Sequence, residues 1–287
     1  MIDLSFIYQA LGRLIPCPCM EARFMQQALL GLLLLAPMAA TMGVHVVNHR
    51  MAFFSDAVSH TAFTGVAIGL ILGLNPDWTM VVFALVFGLG IMVVQRRSSL
   101  SVDTVIGVFF SAGIAFGLAV VSRDRSAAVE AQTFLYGDIL TLDDPELTML
   151  LLLFVFLFVF MWFGYNRLLY IGLHPALAQT HRVRVRLYQY VYAALLALVV
   201  IFSVRTVGML LVTAMLVVPA AAARNFARSA GRMFWWANLI GVSSAVAGLL
   251  ISAQNWANTA TGATVILVAC LWFVVSALVA WRRTRRQ

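Results

Sequence analysis

An acidic side chain and an imidazole lie one helical turn apart within an apolar stretch of the chain. Asp56 and His60 belong to residues 50–65, which lead directly into the apolar residues 66–74. No Gly or Pro precedes Gly65 there, so the sequence predicts one continuous helix with both side chains on the same face. Ionisable groups inside a membrane usually have a function, and a carboxylate and an imidazole can bind one divalent cation together. The spacing alone favours a buried ion pair or hydrogen bond that fixes helix packing, and a metal site is the functional alternative.

The composition is that of a polytopic membrane protein. The 287 residues are 63% hydrophobic and only 10% charged, whereas soluble domains carry about 25% charged residues. All 19 basic residues are arginines in short loops, so the net charge of +8 concerns membrane orientation. We therefore expect lipid, and no nucleic acid, as a partner. The three Cys residues give no disulfide framework, and Cys17-Pro18-Cys19 lacks the spacing of a zinc site.

The pattern of apolar segments predicts an all-α fold with about nine transmembrane helices. Residues 1–24 are predicted to form an N-terminal interfacial segment, residues 25–281 a single transmembrane domain, and residues 282–287 a basic cytoplasmic tail. Only Val204-Arg205-Thr206 separates the sixth and seventh spans, so eight spans remain an alternative. At about 20 residues per crossing, the predicted spans are 25–47, 54–74, 78–95, 103–122, 147–165, 187–204, 206–223, 234–253 and 263–281.

The arginines predict how these spans are oriented. An N-terminus outside the cell and a C-terminus in the cytoplasm place most of the 19 arginines on the inner side, in accordance with the positive-inside rule. Arg50 then marks the inner surface. A helix rises 1.5 Å per residue, so Asp56 and His60 lie about 9 and 15 Å further along it, near the middle of a core about 30 Å thick. Transporters bind their substrates at this depth.

Two further histidines repeat the four-residue spacing. His45 and His49 lie near the inner end of the first predicted span. Two imidazoles at this spacing could hold a metal ion transiently as it leaves. The sequence alone favours the other interpretation, in which both histidines face headgroups or water at the membrane interface.

Pro219 interrupts the seventh predicted span. Because Pro removes a helix hydrogen bond, the helix is expected to bend or end there. Arg224, Arg228 and Arg232 follow at four-residue spacing, and a short helix over residues 220–232 would present them on one face. We call this segment the predicted coupling helix. Its charge is explained in part by positive-inside anchoring, and a docking surface for a cytoplasmic partner is the functional interpretation.

Several stretches, in the same order along the chain, resemble the integral membrane subunit of bacterial zinc, manganese and iron ABC importers. Ser55 and His174 depart from the family, which commonly has Gly and Asp at these positions. The matching stretches are residues 50–74 with a GDALSHA-like core, 134–142 with an LFGSIL-like loop, 171–178 with an FDPELA-like stretch, 207–224 with a VGxLLVxALLxxPAATAR-like signature, and 260–278 with a TGA-like turn.

The resemblance implies a permease of the bacterial cytoplasmic membrane that pairs with a second copy or a paralogue. Two cytoplasmic ATPase subunits would drive it, and an extracytoplasmic metal-binding protein would deliver the ion. The chain contains no GxxxxGK[ST] phosphate loop, so ATP hydrolysis is expected in the partner. In this family the acid and histidine of the second helix, here Asp56 and His60, are associated with the metal pathway. The resemblance further implies that the predicted coupling helix docks on the ATPase, and that the metal is a transported substrate rather than a bound cofactor.

Three other functions are consistent with parts of the sequence. A permease of the same architecture for a chelated metal or a vitamin would need a wider pathway. An ATP-independent carrier would transport when expressed alone. An intramembrane enzyme is disfavoured, because Ser59 and His60 point about 100° apart on a helix and no HExxH motif is present. One carboxylate and one imidazole suit zinc, manganese and iron alike.

Overall fold

Helices make up nearly all of the chain described by the computed structural model, namely residues 22–122, 139–173, 178, 184–254, 257 and 259–285. Within these residues nine helices are long and apolar enough to cross a membrane, which confirms the predicted all-α, multi-pass fold. Most of the N-terminal segment, residues 134–138, Cys17, Cys19 and His174 lie outside the described residues. The helices are α1 Arg23–Asn48, α2 Phe54–Ile71, α3 Pro76–Arg97, α4 Val102–Val121, α5 Asp144–Leu173, α6 Val185–Val207, α7 Met209–Phe226, α8 Ala230–Ser252 and α9 Thr261–Thr284.

The boundary between α6 and α7 lies later than predicted. Arg205 remains helical, and its guanidinium pairs with the carboxylate of Asp77 at 2.6 Å. The helix ends at Val207, and Gly208 then adopts a φ of 84°. Such a positive φ is favourable for Gly and costly for most other residues. The predicted boundary at residues 204–206 is therefore wrong. The helix is interrupted at Gly208, where the backbone can adopt a positive φ, and not at the charged residue Arg205.

The predicted coupling helix is not a single helix. Pro219 lies inside α7, which continues to Phe226 and so contains Arg224 in its last turn. Arg228 lies between α7 and α8, and Arg232 lies in the first turn of α8. The side chain of Ser229 accepts a hydrogen bond from the backbone N–H of Arg232 and caps this new helix. The three arginines therefore do not share one helical face.

The chain divides into two compact units, of which the first comprises residues 1–44, 138–158 and 214–287. Small residues allow its helices to approach closely. A Cβ on Gly43 would overlap the backbone carbonyl of Leu216 in α7, and one on Gly248 would overlap Val265 in α9. The amide of Asn238 donates a hydrogen bond to the hydroxyl of Thr41 at 3.3 Å. Backbone proximity and a few polar contacts therefore hold this unit together.

The second unit comprises residues 45–137 and 159–213. Its α2 packs against α3, α4 and α6. A Cβ on Gly113 would overlap the side chain of Thr61, and the hydroxyl of Thr64 donates to the carbonyl of Gly113 at 3.1 Å. This close packing, together with the hydrogen bond from α2 to α4, holds α2 in a fixed position. The same helix carries Asp56 and His60.

Candidate functional site

Asp56 and His60 lie on one continuous helix, as the sequence predicts. The helix α2 runs without a break from Phe54 to Ile71 and places Asp56 in its first turn. Both side chains are half-buried, whereas their neighbours Ala57, Val58 and Ser59 are buried. The carboxylate and the imidazole are near enough for their charges to interact. The two groups therefore lie close together on the less buried face of α2.

Neighbouring helices orient both side chains of the pair. The ring of His60 packs edge-on against Phe110 of α4, with 5.0 Å between ring centroids and 85° between ring planes. The hydroxyl of Thr213 in α7 lies near Asp56 and donates a hydrogen bond to the carbonyl of Leu210 at 3.2 Å. A carboxylate has about four acceptor positions. Asp56 therefore keeps lone pairs with which to bind a cation.

The protein supplies an incomplete ligand set at this site. In the described ranges no group of three or more His, Cys, Asp or Glu side chains is gathered in a metal-binding arrangement. Zinc usually has four ligands in proteins. A metal ion held by Asp56 and His60 would therefore keep water or other ligands at its remaining positions. This arrangement suits an ion that binds and leaves rather than one that is permanently held.

Ser59 is occupied by the helix backbone. Its buried hydroxyl donates a hydrogen bond to the carbonyl of Ser55 at 2.7 Å. The same kind of bond joins the hydroxyl of Thr61 to the carbonyl of Val58 at 2.8 Å. Because the proton of Ser59 is committed to this carbonyl, the geometry gives no support to a Ser59–His60 nucleophile–base pair.

His45 and His49 do not both face headgroups or water, contrary to the interpretation that the sequence favoured. His45 is 0% exposed and packs edge-on against Tyr165 of α5 and Tyr192 of α6, at centroid distances of 4.9 and 5.9 Å. His49 is half-buried and stacks on Tyr192 at 5.8 Å. The interfacial interpretation is wrong for His45 because α5 and α6 cover it, a tertiary effect that is invisible in the local sequence.

The arginines near the α7–α8 connection are exposed, and Pro219 is buried within α7. All three arginines are therefore accessible to a partner, although Arg224 lies in α7, Arg228 between the two helices and Arg232 in α8. The start of α8 could have been predicted from the sequence, because Ser229 directly precedes its first residue, Ala230, in a typical N-cap position.

Four residues that contact the candidate site residues were not predicted from the sequence, namely Thr213, Phe110, Tyr165 and Tyr192. Thr213 is a lone hydroxyl in an apolar span, which is the only local signal that any of the four gives.

A multi-pass helical protein with an ionisable pair inside one span has the features of a membrane transport protein. The model of the ABC 3 transport family matches residues 21–280. The chain therefore belongs to the ABC 3 transport family, and the resemblance drawn from the sequence motifs is confirmed.

Relatives with named transport functions match over most of their length. The chain is 31% identical over 249 residues to the high-affinity zinc uptake system membrane protein ZnuB of Haemophilus influenzae, covering 87% of this chain and 95% of that protein. It is 30% identical over 267 residues to the manganese import system permease protein ScaB of Streptococcus parasanguinis, covering 93% and 94%. The structure of PsaBC from Streptococcus pneumoniae in complex with Fab matches with a TM-score of 0.75 and 29% identity, over 89% of this chain and 91% of that chain.

Proposed function

We propose that this chain is the membrane permease subunit of an ATP-driven ABC importer for a divalent transition metal ion. The family match and the zinc and manganese relatives support the class of substrate. The observation that carries the proposal is the placement of Asp56 and His60 on the less buried face of α2, within a predicted span. A bacterial cytoplasmic membrane is the proposed location, with an ATPase, an extracytoplasmic metal-binding protein and a second copy or a paralogue as partners.

In the proposed mechanism, Asp56 and His60 replace part of the hydration shell of the ion. The carboxylate offsets part of the positive charge, and the imidazole supplies a nitrogen ligand. With two protein ligands the site binds strongly enough for entry and weakly enough for release. The side chain of Thr213 near Asp56 and the ring of Phe110 against His60 limit the freedom of the pair, so little ordering is needed when the ion arrives.

Movement of the ATPase would change access to this pair from one side of the membrane to the other. The exposed arginines at the α7–α8 connection are the proposed contact with the ATPase. Because Arg224 lies at the end of α7, a displacement there acts on the same helix that carries Thr213. The chain itself carries no phosphate loop in its sequence, so the ATPase would be a separate subunit.

The proposal is tested by metal uptake in cells that lack other importers. The chain is expressed alone, or together with its ATPase and binding protein, and uptake of radioactive zinc and manganese is measured. Uptake is expected only when the ATPase is present and able to hydrolyse ATP. Transport by the chain alone would identify a secondary carrier. Uptake of a metal chelate or a vitamin in place of the free ion would identify the permease of wider specificity.

A further inference from the structure

We propose that His45 and His49 form a second site for a transition metal ion, which we call the histidine site. The inference rests on the proposed function, since it assumes that such ions pass through the protein. The site lies at the end of α1 that the arginine distribution predicts to be cytoplasmic. It would hold the ion after the ion has left Asp56 and His60.

The first observation is a buried imidazole whose two nitrogens are both unsatisfied. Neither Nδ1 nor Nε2 of His45 has a hydrogen-bond partner in the described part of the chain, although the residue is 0% exposed. Leaving such a group unpaired is destabilising, and most buried polar atoms in native proteins are paired. A purely packing role would be met by an apolar ring without this cost. A metal ion bound to one nitrogen of His45 would satisfy its lone pair, while the N–H on the other nitrogen would still need a partner such as water.

The second observation fixes the tautomer of His49. Its Nδ1 lies 2.8 Å from the carbonyl oxygen of His45, and a carbonyl can only accept a hydrogen bond. The proton of neutral His49 is therefore on Nδ1, and the lone pair is on Nε2. That Nε2 is buried and has no partner among the described residues. A histidine that donates one ring N–H to a backbone carbonyl and presents the other nitrogen is the usual arrangement of a metal ligand.

The third observation is the separation of the two rings. The ring centroids of His45 and His49 are 6.2 Å apart, with 54° between the ring planes. Two imidazoles that share one tetrahedral ion at about 2.0–2.1 Å have centroids roughly 5.2 Å apart. Side-chain rotations would therefore have to bring the two rings about 1 Å closer to share one ion. The rings of Tyr165 in α5 and Tyr192 in α6 contact the two histidines and so limit the side-chain rotamers that the histidines can adopt.

The fourth observation is a cavity beside His49. Its volume is about 30 Å³, which is enough for one water molecule or one ion. Besides His49, its lining includes Gln95, Gln189, Met51 and Met92. The amide oxygens and thioethers of these residues, or a water molecule, could complete the coordination on the His49 side, since His45 does not line this cavity.

The described residues that line this cavity include no acidic side chain. The histidine site would therefore hold a dication with neutral ligands only, and weakly, as an exit site requires. Nitrogen ligands favour zinc over manganese. The structure thus points to a site that is weaker and more selective for zinc than the Asp56–His60 pair.

The test uses the full chain assembled with its ATPase and carrying Asp56→Asn and His60→Ala, so that the first site is disabled. Cobalt(II) is the probe, because its visible absorption reports nitrogen coordination. Equilibrium dialysis should give one bound ion per chain. Adding His49→Gln or His45→Phe should weaken binding at least about tenfold, since even partners that only orient a metal ligand affect affinity by about 10–100-fold. Trp162→Phe changes a side chain of α5 that is 87% exposed and should leave the affinity unchanged.

A transport measurement separates this inference from the proposed function. In the otherwise unmodified importer, His49→Gln should lower the maximal rate of zinc uptake and leave KM unchanged, because the first site still sets KM. The inference is overturned if the variant lacking Asp56 and His60 binds no cobalt, or if His49→Gln and His45→Phe bind it as tightly as their parent. In that case ATPase-dependent uptake by the unmodified importer would still support the proposed function.

Discussion

The most informative single perturbation is Asp56→Asn, which removes the negative charge of the proposed metal site and preserves the shape of the side chain. Asp56 is half-buried on α2 and lies near His60 and the hydroxyl of Thr213. An Asn at this position has nearly the same size and keeps one of the two side-chain oxygens. Insertion and packing are therefore expected to be unchanged, and any change in transport would report the charge.

The expected size of the effect follows from the small number of ligands. A hydrogen bond to a charged group contributes about 1.5–3 kcal/mol, and even residues that only orient a metal ligand change affinity by about 10–100-fold. In the proposed site Asp56 is itself a ligand and supplies the only negative charge of the pair. We therefore expect KM for metal uptake to rise at least about 100-fold, which is about 2.7 kcal/mol.

The assay is uptake of radioactive zinc and manganese by proteoliposomes that contain the importer, with the amount of inserted protein measured in parallel. Asp103→Asn is the matched control, since Asp103 is an exposed acid in the first turn of α4 of the same unit. The control should transport like the unmodified importer. If Asp56→Asn retains the unmodified KM, the pair serves helix packing and the reasoning from its charge is refuted.

Four other predictions concern ligand type, coupling, packing and orientation. His60→Ala should reduce zinc uptake more than manganese uptake, because zinc depends more on nitrogen ligands; equal losses in a mixed-isotope assay would contradict this. Reversing the charge of Arg224 and Arg228 should weaken co-purification with the ATPase without affecting insertion, and unchanged binding would exclude the proposed contact. Gly43→Ala should cost about 1–3 kcal/mol through overpacking against α7, measured as a lower thermal midpoint in detergent. A reporter fused after Gln287 should be active only in the cytoplasm, and activity outside would reverse the orientation.

The sequence predicts α2 and its ionisable pair because both depend on local information. Asp56 and His60 share a face whenever their segment is helical, and the absence of Gly and Pro before Gly65 makes it helical. The membrane spans could be predicted equally well from the sequence. A stretch of about 20 apolar residues must cross the membrane as a helix, because the backbone has no other hydrogen-bond partners there.

Tertiary context explains what the sequence did not predict. The partners of the pair, Thr213 and Phe110, lie 157 and 50 positions beyond Asp56 and His60 in the numbering, and no local pattern relates them. Pro219 was expected to bend or end its helix, yet α7 continues past it. Neighbouring helices in a membrane can tolerate such a residue when the lost hydrogen bond is compensated. The burial of His45 likewise depends on α5 and α6.

The two histidine-containing pairs of the second unit differ in one property that matters for directional transport. Asp56–His60 includes a carboxylate, and His45–His49 consists of two imidazoles. A dication would be stabilised more by the charged pair, so that pair is suited to capture the ion at low concentration. The proposed histidine site would hold the ion less tightly and release it more readily to water. An ion that moves from the first pair to the second therefore goes uphill in binding free energy, and in the proposed importer the ATPase would have to supply that difference.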